Sequence, residues 1–308
     1  MNEVTCALEK MMRTIEHAEP LDDVARSVQG YARKLTRNSA VKRVLSGAPL
    51  GHRLHPMLTD VTIGCWTSAS LLDFLAPRSG GSGAGRLVGV GIVSAVPTAA
   101  SGLSDWSDTQ GASRRVGLVH LASNTIALAL ELQSWSARRK GHHLRGAVLG
   151  LGGLAAVTVG GYLGGHLSFV LHEGVNADVG VLDDAEWHDA WLFDDLVDDQ
   201  PVGVTVDDAR VVLVQRRGRV FALAAVCTHA GGPLDQGEVH DDVIVCPWHG
   251  SEFCLWDGAV ERGPAATPEP VYATRVRAGT VQVRRVEDPA ERLAVAELSE
   301  PAAAAVGR

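Results

Sequence analysis

Two stretches of this chain, residues 87–104 and 147–171, contain no Lys, Arg, Asp or Glu. A helix of about 20 such residues, rising about 1.5 Å each, crosses a hydrocarbon core of roughly 30 Å, so runs of this length direct a chain into a bilayer. Two further apolar runs carry isolated polar groups: 57–76 holds Asp60 and Asp73, and 116–135 holds His120 and Glu131. The joints at 77–86, 105–115 and 138–145 are charged or rich in Gly and Ser. A soluble bundle of buried helices is the competing reading, and the two charge-free runs weigh against it. The pattern predicts four transmembrane helices. In the last of them Gly160, Gly161, Gly164 and Gly165 give two overlapping small-xxx-small spacings. Such positions let helix backbones approach closely and favour a compact bundle.

The flanks differ in kind. Residues 1–53 are polar and cationic, with Leu21, Val24, Val28 and Leu35 at helical spacing, and read as one or two cytosolic amphipathic helices. After Glu173 an acidic linker, 174–186, with Asp178, Asp183, Asp184 and Glu186, leads into strand-like alternation at Val202–Val206, 211–215, 220–225, 243–246 and 281–285. Gly218 and the Asp241–Asp242 pair punctuate it as turns. The expected fold is therefore multidomain: a four-helix transmembrane bundle over 54–173, then a small all-β domain over 187–286, then a loose tail over 287–308. A mean hydropathy of +0.07 is high for a purely soluble enzyme. With 28 Lys+Arg against 36 Asp+Glu the net charge is −8, which argues against a nucleic-acid partner held by a broad basic face. Five cysteines in 308 residues make no disulfide framework, and the N-terminus does not read as a cleaved signal peptide.

One pattern in the β region carries chemistry: Cys227-Thr228-His229, sixteen residues, then Cys246-Pro247-Trp248-His249. Thiolates suit one iron and imidazoles another, so a mixed set holds a 2Fe-2S cluster asymmetrically. Zinc accepts the same donors, and a Cys2His2 zinc site is the alternative. Both pairs lie in Gly- and Pro-rich loops between strands, however, and no finger-like helix follows the second. With the surrounding CTHAGGPLDQGEV and CPWHGSEF, and the later Gly258 and Gly263-Pro264, residues 187–285 resemble the Rieske iron–sulfur family.

The resemblance implies that Cys227 and Cys246 hold an inner ferric iron. His229 and His249 would hold the outer, reducible iron near the surface, with their outer nitrogens facing solvent. Gly231, Gly232 and Gly250 would let the loops pass close to the inorganic sulfurs. Ser251 matches a serine that, in the respiratory branch, donates a hydrogen bond to a bridging sulfide. That branch also ties its loops with a disulfide, and the two positions concerned hold Gly232 and Trp248 here. The tyrosine that would donate to a cysteine sulfur is replaced by Phe253. Fewer hydrogen bonds stabilise the reduced cluster less, so the midpoint is expected in the lower half of the Rieske range of about −150 to +300 mV, as in the ferredoxin branch. Cys254 fits no ligand position and reads as core, and Cys6 and Cys65 have no evident partner.

The membrane half resembles an uncharacterised bacterial family of small four-helix membrane domains through His55-Pro56, Val119-His120 with Asn124, and Gly164-Gly165-His166. That family supplies no reaction. Four alternating crossings would put His55, Asp60, Asp105, His120, His166 and His172 within about two helical turns of one membrane face. Ionisable groups inside a membrane are costly and mark functional sites. A haem b held by His120 and His166, a quinone pocket and a proton relay are the candidate uses of His55, Asp60, His120, His166 and His172. The plain reading is polar helix ends in the headgroup zone. On the N-terminal side Arg33, Lys34, Arg37, Lys42, Arg43, Arg53, Arg114 and Arg115 outnumber Arg78, Arg86, Arg138, Arg139, Lys140 and Arg145 on the other. The positive-inside rule then places the β domain in the cytoplasm, with Arg114-Arg115 a topology anchor rather than a twin-arginine signal.

The expected function is that of a multi-pass protein of the bacterial cell membrane, in contact with membrane lipid, whose 2Fe-2S cluster passes single electrons to or from a redox partner protein or a quinone. Electron transfer near neutrality is expected to be proton-free. A stand-alone Rieske oxygenase needs a downstream mononuclear iron site of two histidines and a carboxylate. Only about 60 residues follow His249 and none is a histidine, so such iron would come from another chain, with this one as a ferredoxin component. A redox sensor is the third reading.

Overall fold

The computed structural model describes residues 3–76, 81–175, 182 and 185–286. Its helices are α1 (Glu3–Glu16), α2 (Leu21–Leu35), α3 (Ser39–Ser46), α4 (Leu54–Leu75), α5 (Gly81–Trp106), α6 (Gly111–Arg139) and α7 (His143–Phe169). Two compact units form, residues 1–37 with 54–173 and residues 38–53 with 174–308. The expected single segment 1–53 is thus divided: α1 and α2 join the helical unit, and α3 joins the β unit. The acidic linker's Asp178, Asp183 and Asp184 and the tail 287–308 lie outside the described residues.

In the helical unit α4 to α7 form a four-helix bundle, with α4 packed on α5 and α7, and α6 on those same two helices. By length and composition α5, α6 and α7 suffice to cross a membrane. The expected crossing at 57–76 is a helix, α4, but it is not among these three, and it carries Asp60 and Asp73. Two of the four glycines of α7 act as expected: a Cβ on Gly160 would lie 2.5 Å from Asn124 Oδ1 and one on Gly164 3.2 Å from His120, so α6 and α7 approach closely here, whereas Gly161 has nothing within 4 Å and Gly165 only Phe169 of α7 itself. Between α4 and α6, Arg138 grips Asp73 with two parallel hydrogen bonds, one of 2.7 Å. The amphipathic α1 docks by burying Met12 against Val116 and Leu163, and polar contacts fasten both α1 and α2. Glu16 accepts from His166 Nε2 at 2.7 Å, and Gln29 Nε2 donates to the Trp106 and Thr109 carbonyls. Asp22 receives Arg115 and Arg114 at 2.8 and 3.0 Å. Hydrogen bonding from Arg115, then Arg114, holds the Asp22 carboxyl well below the usual carboxylate range.

The β unit holds β1 (His188–Leu192), β2 (Val202–Val206), β3 (Ala209–Arg216), β4 (Arg219–Ala224), β5 (Glu238–His240), β6 (Val243–Val245), β7 (Glu252–Cys254), β8 (Val260–Arg262), β9 (Val271–Arg277) and β10 (Thr280–Arg285). They build a six-stranded sheet, β1-β10-β9-β4-β3-β2, and a four-stranded sheet, β5-β6-β7-β8, antiparallel throughout. The turn anticipated at Gly218 is a two-residue hairpin in which Arg217 and Gly218 both take positive φ, the type I′ geometry that matches strand twist. Strand alternation sorts the core. Val212 and Val214 face a cluster with Phe221, Ile244 and Phe253, while Val211 and Leu213 face another with Val204, Val206 and Val281. The first cluster, shared by both sheets, also contains Cys227 and Cys246.

Candidate metal centre

Two loops leave that shared core, one after β4 and one after β6, and their backbones follow one plan. Cys227 N–H donates to Gly232 O and Cys227 O accepts from Gly231 N–H, both at 2.8 Å. Cys246 N–H donates to Ser251 O at 2.8 Å and Cys246 O accepts from Gly250 N–H at 3.0 Å. Each cysteine thus accepts from the residue four ahead and donates to the residue five ahead. The residue four ahead is in each case a glycine with positive φ, 76° at Gly231 and 68° at Gly250, a conformation that favours glycine. The Cys-x-His and Cys-x-x-His spacings differ, yet the repeated frame presents both thiols inward and both imidazoles to one another.

The four side chains meet in two like pairs. The thiols of Cys227 and Cys246 share a hydrogen bond, which holds Cys246 down at about 6 and pushes Cys227 far above the thiol range. A thiolate on this pair is what a soft metal needs. The rings of His229 and His249 stand edge to face with centroids 4.9 Å apart. His229 Nδ1 is buried without a hydrogen-bond partner, an orphaned lone pair or donor that a metal bond would satisfy. Burial, then the charges of Arg53, His249 and Lys42, pushes the His229 imidazolium far down, leaving the neutral ring that ligation requires. At Gly232 a Cβ would lie 2.7 Å from Cys246 Sγ, so the first loop keeps clear the space beside that sulfur. On these observations the residues fit a 2Fe-2S cluster.

Residues 186–282 match the family described as Rieske [2Fe-2S] domain. The chain carries a Rieske domain. Residues 51–177 match the family described as "Predicted membrane protein (DUF2231)", so the Rieske domain follows a membrane domain. The anthranilate 1,2-dioxygenase ferredoxin subunit of Burkholderia cepacia is 28% identical over 99 residues, 32% of this chain and 92% of that subunit. The cytochrome b6-f complex iron-sulfur subunit of Chlorobaculum tepidum is 32% identical over 77 residues, 25% of this chain and 41% of the subunit. The oxygenase component of 3-ketosteroid-9-alpha-monooxygenase from Rhodococcus rhodochrous is 31% identical over 103 residues, 32% of this chain and 26% of that protein. The likeness therefore spans nearly all of the ferredoxin but less than half of the other two. It supports iron–sulfur electron transfer.

The Rieske domain departs from expectation at one of the four expected ligand positions. Both histidines were expected at the surface, but His229 is 6% exposed and only His249 is partly open. Ser251 is buried, and its Oγ accepts from Ala265 N–H at 3.0 Å, which leaves its own proton to donate. Trp248 lies over Gly232, at 3.3 Å from the Cβ position, so the two sites of the respiratory disulfide are neighbours here as well. Phe253 is wholly buried in β7 and Cys254 is half-buried beside it.

The membrane residues do not gather into one constellation. His55 and His120 meet at 6.3 Å between centroids. His120 donates from Nδ1 to Gly160 O at 2.8 Å and accepts at Nε2 from Asn124 Nδ2 at 3.1 Å, so both its ring nitrogens are in use. His55 Nδ1 donates to Thr98 O at 2.9 Å, and His166 Nε2 is taken by Glu16. Asp60 and His172 are exposed. Neither His120 nor His166 is set up as an axial haem ligand, because hydrogen bonds within the helical unit already occupy the nitrogens concerned.

Two features escaped the sequence. Glu269 is wholly buried and its Oε1 accepts from Thr228 N–H, between Cys227 and His229, at 2.6 Å. Its setting between Pro268 and Pro270, a carboxylate in a loop built for rigidity, was the available signal. The second is the attachment of residues 38–53 to the β unit, which no local pattern announced.

Proposed function

We propose that Cys227 and Cys246 hold one iron and His229 and His249 the other, and that the chain is a membrane-anchored carrier of single electrons between a membrane-side partner and a second redox protein or quinone. The observation that carries this reading is the repeated loop frame, which pairs thiol with thiol and imidazole with imidazole. A zinc ion needs four donors converging on one point. Among the described residues no three His, Cys, Asp or Glu side chains converge in that way, whereas two separate pairs suit two irons. When bound, the cluster supplies a one-electron couple. The chain's own residues do the rest. The apolar core around Cys227 and Cys246 keeps water from the thiol side, and His249 with the 55% exposed Trp248 forms the edge that a partner can reach.

The helical unit supports anchoring in the bacterial membrane as a multi-pass domain, and the excess of Lys and Arg on the N-terminal side supports a cytoplasmic Rieske domain. A C-terminal alkaline phosphatase fusion is then inactive, and an active fusion overturns the orientation. A second reading, a ferredoxin component of a multi-chain oxygenase system, is favoured by the likeness that covers 92% of the anthranilate dioxygenase ferredoxin subunit. Carrier and sensor are separated by mixing the dithionite-reduced protein with oxidised membranes without oxygen. The carrier loses its reduced electron paramagnetic resonance (EPR) signal within the mixing period, whereas a persistent signal assigns a sensor.

A further inference from the structure

Residues 38–53 run between α2 and α4 in sequence but fold into the β unit. Asn38 caps α3 by accepting from Val41 N–H, and Gly47, at φ 87°, ends it. The helix then fastens to β8 and the loop beyond. Arg43 Nε donates to Val260 O at 2.9 Å. Ser46, wholly buried, sits so close to Gly263 that a Cβ there would fall 2.5 Å from its Oγ, and Ala48 packs against the core that holds Cys227 and Cys246. The same loop reaches the ligands: Ala265 N–H donates to Ser251 Oγ, and Ser251 O accepts from Cys246 N–H. Contacts thus pass from Ser46 through Gly263 and Ala265 to the second ligand loop.

This segment brings two cations. Lys42 is 2% exposed, an unusual degree of burial for an ammonium group, and Arg53 lies across Gly174 with its Nε 3.0 Å from the Cβ position. Arg53 and Lys42 both lie within electrostatic reach of the buried His229 ring.

Building on the ligand assignment above, we propose that residues 38–53 are a wall of the cluster module and that Lys42 and Arg53 raise its reduction potential. Reduction takes one electron from a one-electron donor and adds one negative charge at the histidine-held iron. A fixed cation nearby favours that state, and a buried one is little screened by salt. The two side chains act through the field and touch no reacting atom, so they are positioning residues.

The test uses the full chain in detergent, with Lys42→Gln, Arg53→Gln and the double variant titrated potentiometrically and read by EPR. Each single variant is expected to shift the reduction equilibrium severalfold towards the oxidised form. The double variant is expected to shift it about tenfold, or about 59 mV for one electron. Lys42→Arg and Arg217→Gln, on the exposed β3–β4 turn, keep the wild-type midpoint. Where Lys42→Gln does not fold, Arg53→Gln decides alone. Variants with the wild-type EPR line shape and an unmoved midpoint overturn this proposal but leave the ligand assignment standing. A wild-type chain without a 2Fe-2S signal defeats both.

Discussion

Gly232 and Cys246 come from different loops, yet a Cβ on Gly232 would lie 2.7 Å from Cys246 Sγ. Real Cβ atoms do not approach a sulfur that closely, so one loop would have to move. The sulfur belongs to a proposed ligand, and the displaced volume is the volume beside it. Gly232→Ala is therefore expected to fold with its β-sheets intact but to retain only a small fraction of the wild-type iron. Iron analysis with far-ultraviolet circular dichroism checks this, and full iron occupancy would contradict it.

Glu269 holds the loop of Cys227 and His229 by the Thr228 amide, and Thr228 Oγ1 donates to Thr267 O at 2.8 Å from the same third loop as Glu269. Removing the acceptor strands a buried N–H, at a cost of about 1–3 kcal/mol. Glu269→Ala is expected to lower the unfolding midpoint of the β unit and to speed iron loss to a chelator. Glu269→Gln keeps an acceptor and should fall between it and wild type. Equal chelation rates in all three would remove Glu269 from the site.

Arg138 and Asp73 are paired within the helical unit, with Arg138 6% exposed. Removing one member of a buried pair costs about 3–5 kcal/mol, because the other charge is left uncompensated. Arg138→Ala is expected to unfold at markedly lower temperature in detergent, and Asp73→Asn added to it should recover part of the loss. Additive losses in the double variant would show that the pair does not act as a unit.

Asp22 fixes α2 to Arg114 and Arg115, and its carboxyl is held well below the ordinary range. A carboxyl with a depressed folded-state value stabilises the fold above the unfolded-state value of about 3.9 and loses that contribution as the pH falls below it. Asp22→Asn should therefore melt below wild type at pH 7, with the gap narrowing as the pH drops below about 4. A gap that stays constant as the pH falls well below about 4 rules out the ion pair as its source.

Much of this architecture is written locally. The charge-free runs became α5 and α7, the alternation of 211–215 and 220–225 became β3 and β4, and the Cys-x-His and Cys-x-x-His pairs fell in the loops after β4 and β6. Periodicity reports which face of an element is apolar, and ligand spacing reports a local loop, so both survive without tertiary information. The attachment of α3 does not. Its bond from Arg43 to Val260 spans 217 positions, and nothing in an eight-residue cationic helix distinguishes a sheet-bound face from a solvent-bound one. Burial of His229 was hidden for the same reason, since residues remote in sequence decide it. The membrane histidines misled differently: depth along a helix is legible, but rotation about its axis left Asp60 exposed while His120 turned to Gly160 and Asn124.

The proposed ligand assignment puts a 2Fe-2S cluster on Cys227, His229, Cys246 and His249 in a protein of the ferredoxin type. It is tested most directly by optical and EPR spectra of the detergent-purified full chain before and after dithionite, with iron, sulfide and zinc measured on the same sample and the midpoint read by titration. That assignment predicts a silent oxidised state and a Rieske-type signal on reduction. It also predicts iron and sulfide in equal amounts, and a midpoint in the lower half of the range of about −150 to +300 mV. Stoichiometric zinc with no signal in either state, or a midpoint above roughly +200 mV, would contradict it.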